Sequence, residues 1–312
     1  MRIVFMGTPQ VAVPSLERCL QDGHDIVAVY TQPDRPSGRG NKITFSPVKE
    51  TALKYGIPVF QPLRIKTDEA IAEFRSHAAD IVVVVAYGRI LPETYLSAFP
   101  KGAINVHFSL LPKYRGAAPV NWAIVNGEKE TGVTTMKMDI GLDTGDILLQ
   151  SKTPIGSEET AIELMSRLSI TGAELLSETL AKLDTIVPVA QEHSAASFAP
   201  IMSRDDGKID WHLSAREIAN RVRGFQPFPS SFTRYRDAKL TIWKASEIEV
   251  EHSPAPAGQI VAVDHDSIQV ACAAGSTLEV LEVQPEGKRR MAVRDFINGS
   301  KPKVGEILGS ND

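Results

Sequence analysis

Asn105 and His107 lie two residues apart in INVHFSLLPKYRGAAP, residues 104–119, where an apolar strand pattern gives way to a basic turn. In an extended strand alternate side chains share a face, so the amide and the imidazole project together. The amide supplies neutral N–H donors, and the ring is titratable. Polar groups cost free energy when buried unpaired, so two of them converging beyond a run of aliphatics indicate a cleft where a substrate completes the pairing. Downstream, MDIGLDTGD supplies Asp139, Asp143 and Asp146, with Gly141 and Gly145 permitting a tight irregular loop. Asp and Gly are also the ordinary makings of a solvent turn, and spacing alone singles out none of these carboxylates.

Such groups need a scaffold, and the first half of the chain alternates strand and helix signals. RIVFM (2–6), DIVAVYT (25–31), IPVF (57–60), DIVVVVA (80–86) and AINVH (103–107) read as strands, DIVVVVA being apolar enough for burial on both faces. Ser46 with Pro47, and Thr67 with Glu69, open helices, while Gly23 and Gly56 mark helix ends. Alternation of this kind predicts an α/β domain over residues 1–185, a doubly wound, mostly parallel sheet. In such sheets ligands bind beyond the carboxyl ends of the strands, which sets the loop 87–91, with Ile90 and Leu91, beside 105–112 along one crevice. TGVTTMKM and DILLQ add strands around the acidic turn, and a long helix covers 160–183. Residues 186–208 are polar, proline-containing and weakly periodic, and read as a linker. Beyond it, 209–312 offers one convincing helix, 214–223, with Ser214 and Glu217 in a capping box. The short strands that follow predict a small OB-like β-barrel.

Composition narrows the classes further. With 312 residues, 43% hydrophobic and 23% charged, two ordinary cores are expected and disorder is not. The longest apolar run, Ile81 to Ala86, is far short of the roughly 20 residues of a spanning helix. The chain starts directly on a strand without a signal-peptide pattern, so a cytoplasmic setting without membrane partners is expected. Two distant cysteines and seven scattered histidines predict no metal site. Gly7, Thr8 and Pro9 stand where a dinucleotide fold carries further glycines, which argues against a nicotinamide or flavin cofactor. A formal net charge of -4 argues against indiscriminate nucleic-acid binding, yet two basic patches stand out. One is QPDRPSGRGNK, with Arg35, Arg39 and Lys42. The other holds Lys288, Arg289, Arg290, Arg294, Lys301 and Lys303, opposed locally by Asp295.

Taken together, INVHFSLLPKYRGAAP and MDIGLDTGD resemble the folate-dependent formyltransferases, and the likeness runs from RIVFMGTP to KRRMAVRDFINGS. The resemblance implies a transferase of translation initiation. It would use 10-formyltetrahydrofolate as co-substrate and initiator methionyl-tRNA as acceptor, with neither a metal nor an obligate protein partner. It assigns catalysis to Asn105, His107 and Asp143, and the border of the folate to Ser109, Leu110, Leu111 and Pro112. It gives tRNA contact to the loop of Arg35, Arg39 and Lys42, and has Lys113, Tyr114 and Arg115 frame the folate crevice. The set suits formyl transfer. Asn105 and His107 would donate to the oxygen that gains negative charge, each donor typically worth about 3 kcal/mol, and Asp143 would keep the imidazole protonated and relay a proton. Phe108 is larger than the residue usual at its position, and strand alternation turns it away from His107 into the core.

Three other readings remain at this point. A sugar-nucleotide amine formyltransferase or a formyltetrahydrofolate hydrolase would share the core chemistry. A non-catalytic RNA-binding module on the barrel would leave Asn105, His107 and Asp143 without a role. The basic loop and the LDTGD form of the acidic turn favour tRNA.

Overall fold

The computed structural model describes residues 1–37, 42–249 and 255–309, with backbone alone at 35–37, 42 and 43. They form two compact units. Met1–Pro119, Glu130–Pro154 and Met165–Ala199 make the first, and Val120–Lys129, Ile155–Leu164 and Pro200–Asp312 the second.

In chain order the first elements are β1 (Arg2–Gly7), α1 (Val13–Gln21), β2 (Asp25–Tyr30), β3 (Arg35–Ser37), β4 (Lys42–Thr44), α2 (Pro47–Lys54), β5 (Val59–Phe60) and α3 (Asp68–Ser76). There follow β6 (Ile81–Val85), α4 (Glu93–Leu96), β7 (Ala103–His107), β8 (Arg115–Gly116), α5 (Pro119–Val125), β9 (Glu130–Lys137), β10 (Ile147–Pro154), α6 (Ala161–Lys182) and β11 (Phe198–Ala199). The main sheet has the order β10-β9-β7-β6-β1-β2-β5. Pairing is parallel from β7 to β5 and antiparallel for β9 on β7 and β10 on β9. Every residue of β6 is buried, as a strand covered on both faces must be. Ser46 and Thr67 cap α2 and α3 by accepting from the Lys49 and Ala70 amides, which the sequence anticipates.

β7 faces two ways. Val106 and Phe108 pack toward α6, where a Cβ on Gly172 would come within 3.1 Å of Val106 and 3.3 Å of Phe108. A Cβ there would press on both side chains, so glycine lets the helix lie close without displacing them. Phe108 is therefore core, and Asn105 and His107 occupy the other face.

Two segments differ from their sequence reading. The basic loop is a hairpin, β3 pairing β4 with Arg35 opposite Thr44 and Ser37 opposite Lys42, while Arg39 lies outside the described residues. At its base Gln61 donates to Gln32 O at 2.8 Å and to Asp34 Oδ1 at 2.9 Å, and Lys49 also pairs with Asp34. The stretch 186–199 is not a free strap but lies on the first unit. Val189 and Ile147 exchange backbone hydrogen bonds at 2.8 and 2.9 Å, and β11 pairs with β8. Most of its side chains face solvent, but Gln191 is buried and Ser197 accepts from the Tyr114 amide, so the stretch is tied down at a few points.

The second unit contains α7 (Ala215–Gly224), β12 (Ser231–Tyr235), β13 (Ala238–Ile248), β14 (Ile260–Val263), β15 (Ile268–Ala271), β16 (Thr277–Pro285), β17 (Met291–Ala292) and α8 (Val293–Ser300). The capping box of Ser214 and Glu217 opens α7. The antiparallel sheet runs β12-β13-β16-β15-β14, with β17 on β16. Segment 305–309 bridges the two end strands. Ile260 N donates to Glu306 O at 2.8 Å, and Gly309 N to Arg234 O at 2.9 Å. Closure of this kind makes the sheet barrel-like around Ile218, Val222, Ile242, Val270, Leu278 and Phe296. Helix α8, absent from the sequence reading, contributes Val293 and Phe296 to that core.

Candidate active site

His107 is 5% exposed at the end of β7, and its Nε2 lies 2.9 Å from Tyr114 O. A carbonyl oxygen only accepts, so this partner fixes the proton on Nε2 and leaves Nδ1 as the nitrogen able to take or release one. Nδ1 faces Asp143 Oδ2 at 3.7 Å. Asn105, half-buried on the same face, points its Nδ2 at Asp143 Oδ1 across 3.5 Å. Both separations are at or beyond the limit of a good hydrogen bond. Gly116 N completes the carboxylate's surroundings, donating to Oδ2 at 2.8 Å. An amide donor, a proton-exchanging ring nitrogen and a carboxylate thus surround one point beside β7.

The structure separates the three acids of the MDIGLDTGD turn. Asp139 accepts from Gly141 N at 3.0 Å and from Thr144 Oγ1 at 2.7 Å, an internal tie of the loop. Asp146 is exposed. Asp143 alone turns inward, with its backbone in the left-handed region at φ 52. Topology explains why spacing could not choose. Strand β9 is antiparallel to β7, so the turn leaving it begins beside the first residue of β7, where Met138 N donates to Ala103 O at 2.9 Å. To reach His107 the turn must fold back along the strand, a span of about 13 Å at the rise of an extended chain. Gly145 makes the return possible, because a Cβ there would fall 1.9 Å from Lys137 O.

The expected folate border is largely interior. Ser109 is fully buried and donates to Lys113 O at 2.6 Å, and Thr134 Oγ1 donates to Ser109 O at 2.7 Å. Gln150 Nε2 donates to Leu111 O at 2.9 Å, and Leu110 packs where a Cβ on Gly132 would stand. Pro112 is half-buried, so the 109–112 turn offers shape and backbone more than side-chain donors. Of the neighbouring loop, Ile90 is 78% exposed whereas Leu91 is in the core. Arg115, expected to frame the crevice, is buried instead against Gln191, to which its Nη2 donates at 2.6 Å. Thr134, Gln150 and Gln191 escape sequence reasoning because each is a lone polar residue without a motif. Among the described residues no group of three or more His, Cys, Asp or Glu could hold a metal ion.

Residues 1–180 match the family described as formyl transferase, and 201–301 match the formyl transferase C-terminal domain. The chain belongs to the formyl transferase family. A methionyl-tRNA formyltransferase of Alkaliphilus oremlandii is 49% identical to it, over 99% of this chain and 100% of the relative. Another, from Koribacter versatilis, is 50% identical over 99% of both. Solved structures share the formyl transferase fold at lower identity. An N-formyltransferase from Helicobacter canadensis, in complex with folinic acid and dTDP-3-aminofucose, superposes with a TM-score of 0.64 at 21% identity over 91% of this chain and 98% of its own. HypX from Aquifex aeolicus in complex with tetrahydrofolic acid gives 0.65 at 13% identity, over 100% of this chain and 51% of its own. In this formyl transferase no helix is long and apolar enough, among the described residues, to cross a membrane.

Proposed function

We propose that this formyl transferase carries the formyl group of 10-formyltetrahydrofolate to the amino group of initiator methionyl-tRNA, giving N-formylmethionyl-tRNA in the cytoplasm. The observation that carries this reading is end-to-end identity of 49% and 50% with relatives bearing that activity in their names. Fold alone does not choose the acceptor, because sugar N-formyltransferases share it.

The reaction makes a bond from the methionyl nitrogen to the formyl carbon and breaks the bond from that carbon to N10. One proton leaves the attacking amine and one arrives on the departing nitrogen. Asn105 Nδ2, held only at 3.5 Å by Asp143, is available to donate to the formyl oxygen as charge develops there. Asp143 accepts the amine proton, and His107 Nδ1, 3.7 Å away, shares it. Residues 109–112 and Ile90–Leu91 border the folate.

For the tRNA we assign the basic loop of Arg35, Arg39 and Lys42, with the part of the chain from residue 209 onward as a second region that contacts RNA. The second unit has a cavity of about 1040 Å³ in which Lys208, Arg234 and Lys239 beside Phe232 are matched by Asp205, Asp210 and Glu286, so any RNA contact there would rest on the cations nearest the aromatic ring rather than on net charge. Cations beside an aromatic face suit a nucleic-acid backbone and base.

The test supplies the protein with formyl donor and either methionyl-tRNA or an amino-sugar nucleotide. Formylation of the aminoacyl-tRNA is expected, and formylation of the sugar alone would overturn the acceptor assignment.

A further inference from the structure

Gln191 lies two residues beyond Val189, whose backbone bridges Ile147. Its side chain is 6% exposed and uses both ends of the amide. Nε2 donates to Asp143 O at 2.9 Å and to Gly145 O at 2.7 Å. Oε1 accepts from Arg115 Nε at 3.1 Å and Nη2 at 2.6 Å. Arg115 is itself 3% exposed and fixed on its other side by donating from Nη1 to His193 Nδ1 at 3.2 Å. From these contacts we infer that Gln191 is a positioning residue for formyl transfer, a clamp that holds the returning turn so that the Asp143 carboxylate meets Asn105 and His107. The inference deepens the proposed function and rests on it for its kinetic consequence.

Three features make the clamp more than packing. The turn must fold back along β7, and Asp143 sits in it with a positive φ of 52, a conformation that a non-glycine residue keeps only when its neighbours impose it. The amide bonds the carbonyls of Asp143 and Gly145, so it grips the backbone on both sides of Thr144. Arg115 ties that grip to the other wall of the site. Its neighbour Gly116 donates to Asp143 Oδ2 at 2.8 Å, and His107 is bonded to Tyr114 O at 2.9 Å. A single amide thereby sets the carboxylate and the ring in one frame. Neither a carboxylate nor an aliphatic side chain can replace it, because only an amide both donates to two carbonyls and accepts from a guanidinium.

The experiment uses the full chain with Gln191→Met, which keeps the length but removes all four bonds, and Gln191→Glu, which keeps the pairing with Arg115 but cannot donate to the carbonyls. Hydrogen exchange of the 139–146 amides needs no substrate and reads the clamp directly. An increase of about tenfold is expected in both variants, since loss of local ties raises opening. With formyl donor and methionyl-tRNA, kcat is expected to fall about thirtyfold in both, with KM within about twofold, because displacement of a catalytic group by about 1 Å has effects of that order. Gln191→Glu carries the decision if Gln191→Met fails to fold, since its added charge faces Arg115 and the fold is retained. Exchange and kcat unchanged in Gln191→Glu would overturn the inference, while an active wild type and an inactive Asp143→Asn would leave the proposed function standing. A wild type inactive toward methionyl-tRNA would instead sink that function, and the exchange result would still decide the clamp.

Discussion

In the first unit Asp143 stands 3.5 Å from the Asn105 amide and 3.7 Å from the His107 ring, whereas in the second unit Glu306 accepts from Tyr235 at 3.1 Å and from Arg236 at 2.6 Å. Both carboxylates are drawn to partners far away in sequence. Glu306 is satisfied, and although burial pushes its carboxyl upward, hydrogen bonds from the Lys303 amide, Arg236 and Tyr235 outweigh it and hold the group below the usual range. Among the described residues the Asp143 carboxylate has one firm partner, Gly116 N, while the Asn105 amide and the His107 ring stop short. Satisfied polar groups stabilise a fold, and groups left at long range in a partly buried place are ready for a ligand to complete them. The difference separates substitutions that should abolish turnover from those that should lower only stability.

The largest effect should come from Asp143→Asn. The amide oxygen can still accept from Gly116 N, so the turn keeps its anchor, but the proton acceptor is gone. Turnover is expected to fall about 10³-fold with little change in Tm. Loss of stability in step with activity would erase the contrast between the two units. Gly172→Leu, in the helix behind β7, should do the reverse. With 3.1 Å to Val106 and 3.3 Å to Phe108 a Cβ is already tight and the rest of a leucine has no room, so overpacking should cost about 2 kcal/mol in denaturant unfolding. It also sharpens the comparison, because the strain is applied to the strand that carries Asn105 and His107. Loss of kcat beyond the unfolded fraction would show that the site tolerates less movement than the core.

These expectations bear on how much the sequence could show. Strand β7 and the shared face of Asn105 and His107 were legible because alternation is a local property that survives in any sheet. Asp143 was legible only through resemblance. The fold-back that selects it over Asp139 and Asp146 depends on β9 running antiparallel to β7, and strand direction leaves no mark on side-chain spacing. Gln191 was invisible for a related reason, since one inward-bonded amide among exposed polar neighbours leaves no mark on composition. The hairpin at Arg35 was hidden by Pro36 and its glycine neighbours, which signal a loop. Helix α8 follows Ala292, an N-cap without a capping side chain, and runs for 8 residues, too short for a periodic pattern to declare itself.

In the second unit Ser214→Ala tests the other side of the comparison. Ser214 and Glu217 bond each other's backbone amides at the start of α7, and removing the hydroxyl leaves one amide without its acceptor. A loss of about 1 kcal/mol is expected, with kcat for formyl transfer unchanged. A turnover defect larger than the loss of folded protein would show that the second unit participates in the chemistry.

The smallest effect concerns His77 in the first unit, half-buried among Phe60, Phe74 and Tyr30, with Nε2 2.9 Å from the Tyr30 hydroxyl. Burial pushes its pKa below the ordinary histidine value of 6.5, and the charge of Glu73 only partly opposes this. The unfolded chain therefore binds a proton at a higher pH than the folded one. The stability that His77 contributes is full above about pH 6.5 and is lost as the pH falls through the lowered value. Glu306 has the same sign but a lower window, because its carboxyl already lies below the usual carboxylate range. Tm measured from pH 7.5 down to 5 should decline first through His77 and His24, both lowered by burial, and His77→Gln should partly flatten that portion of the curve. It should leave the steeper fall at lower pH, to which Glu306 contributes, in place. An unchanged slope between pH 6.5 and 5 in His77→Gln would mean that the aromatic pocket admits the charged ring without penalty. The contrast between a unit that keeps polar groups waiting and one that satisfies them would then rest on the Asp143 site alone.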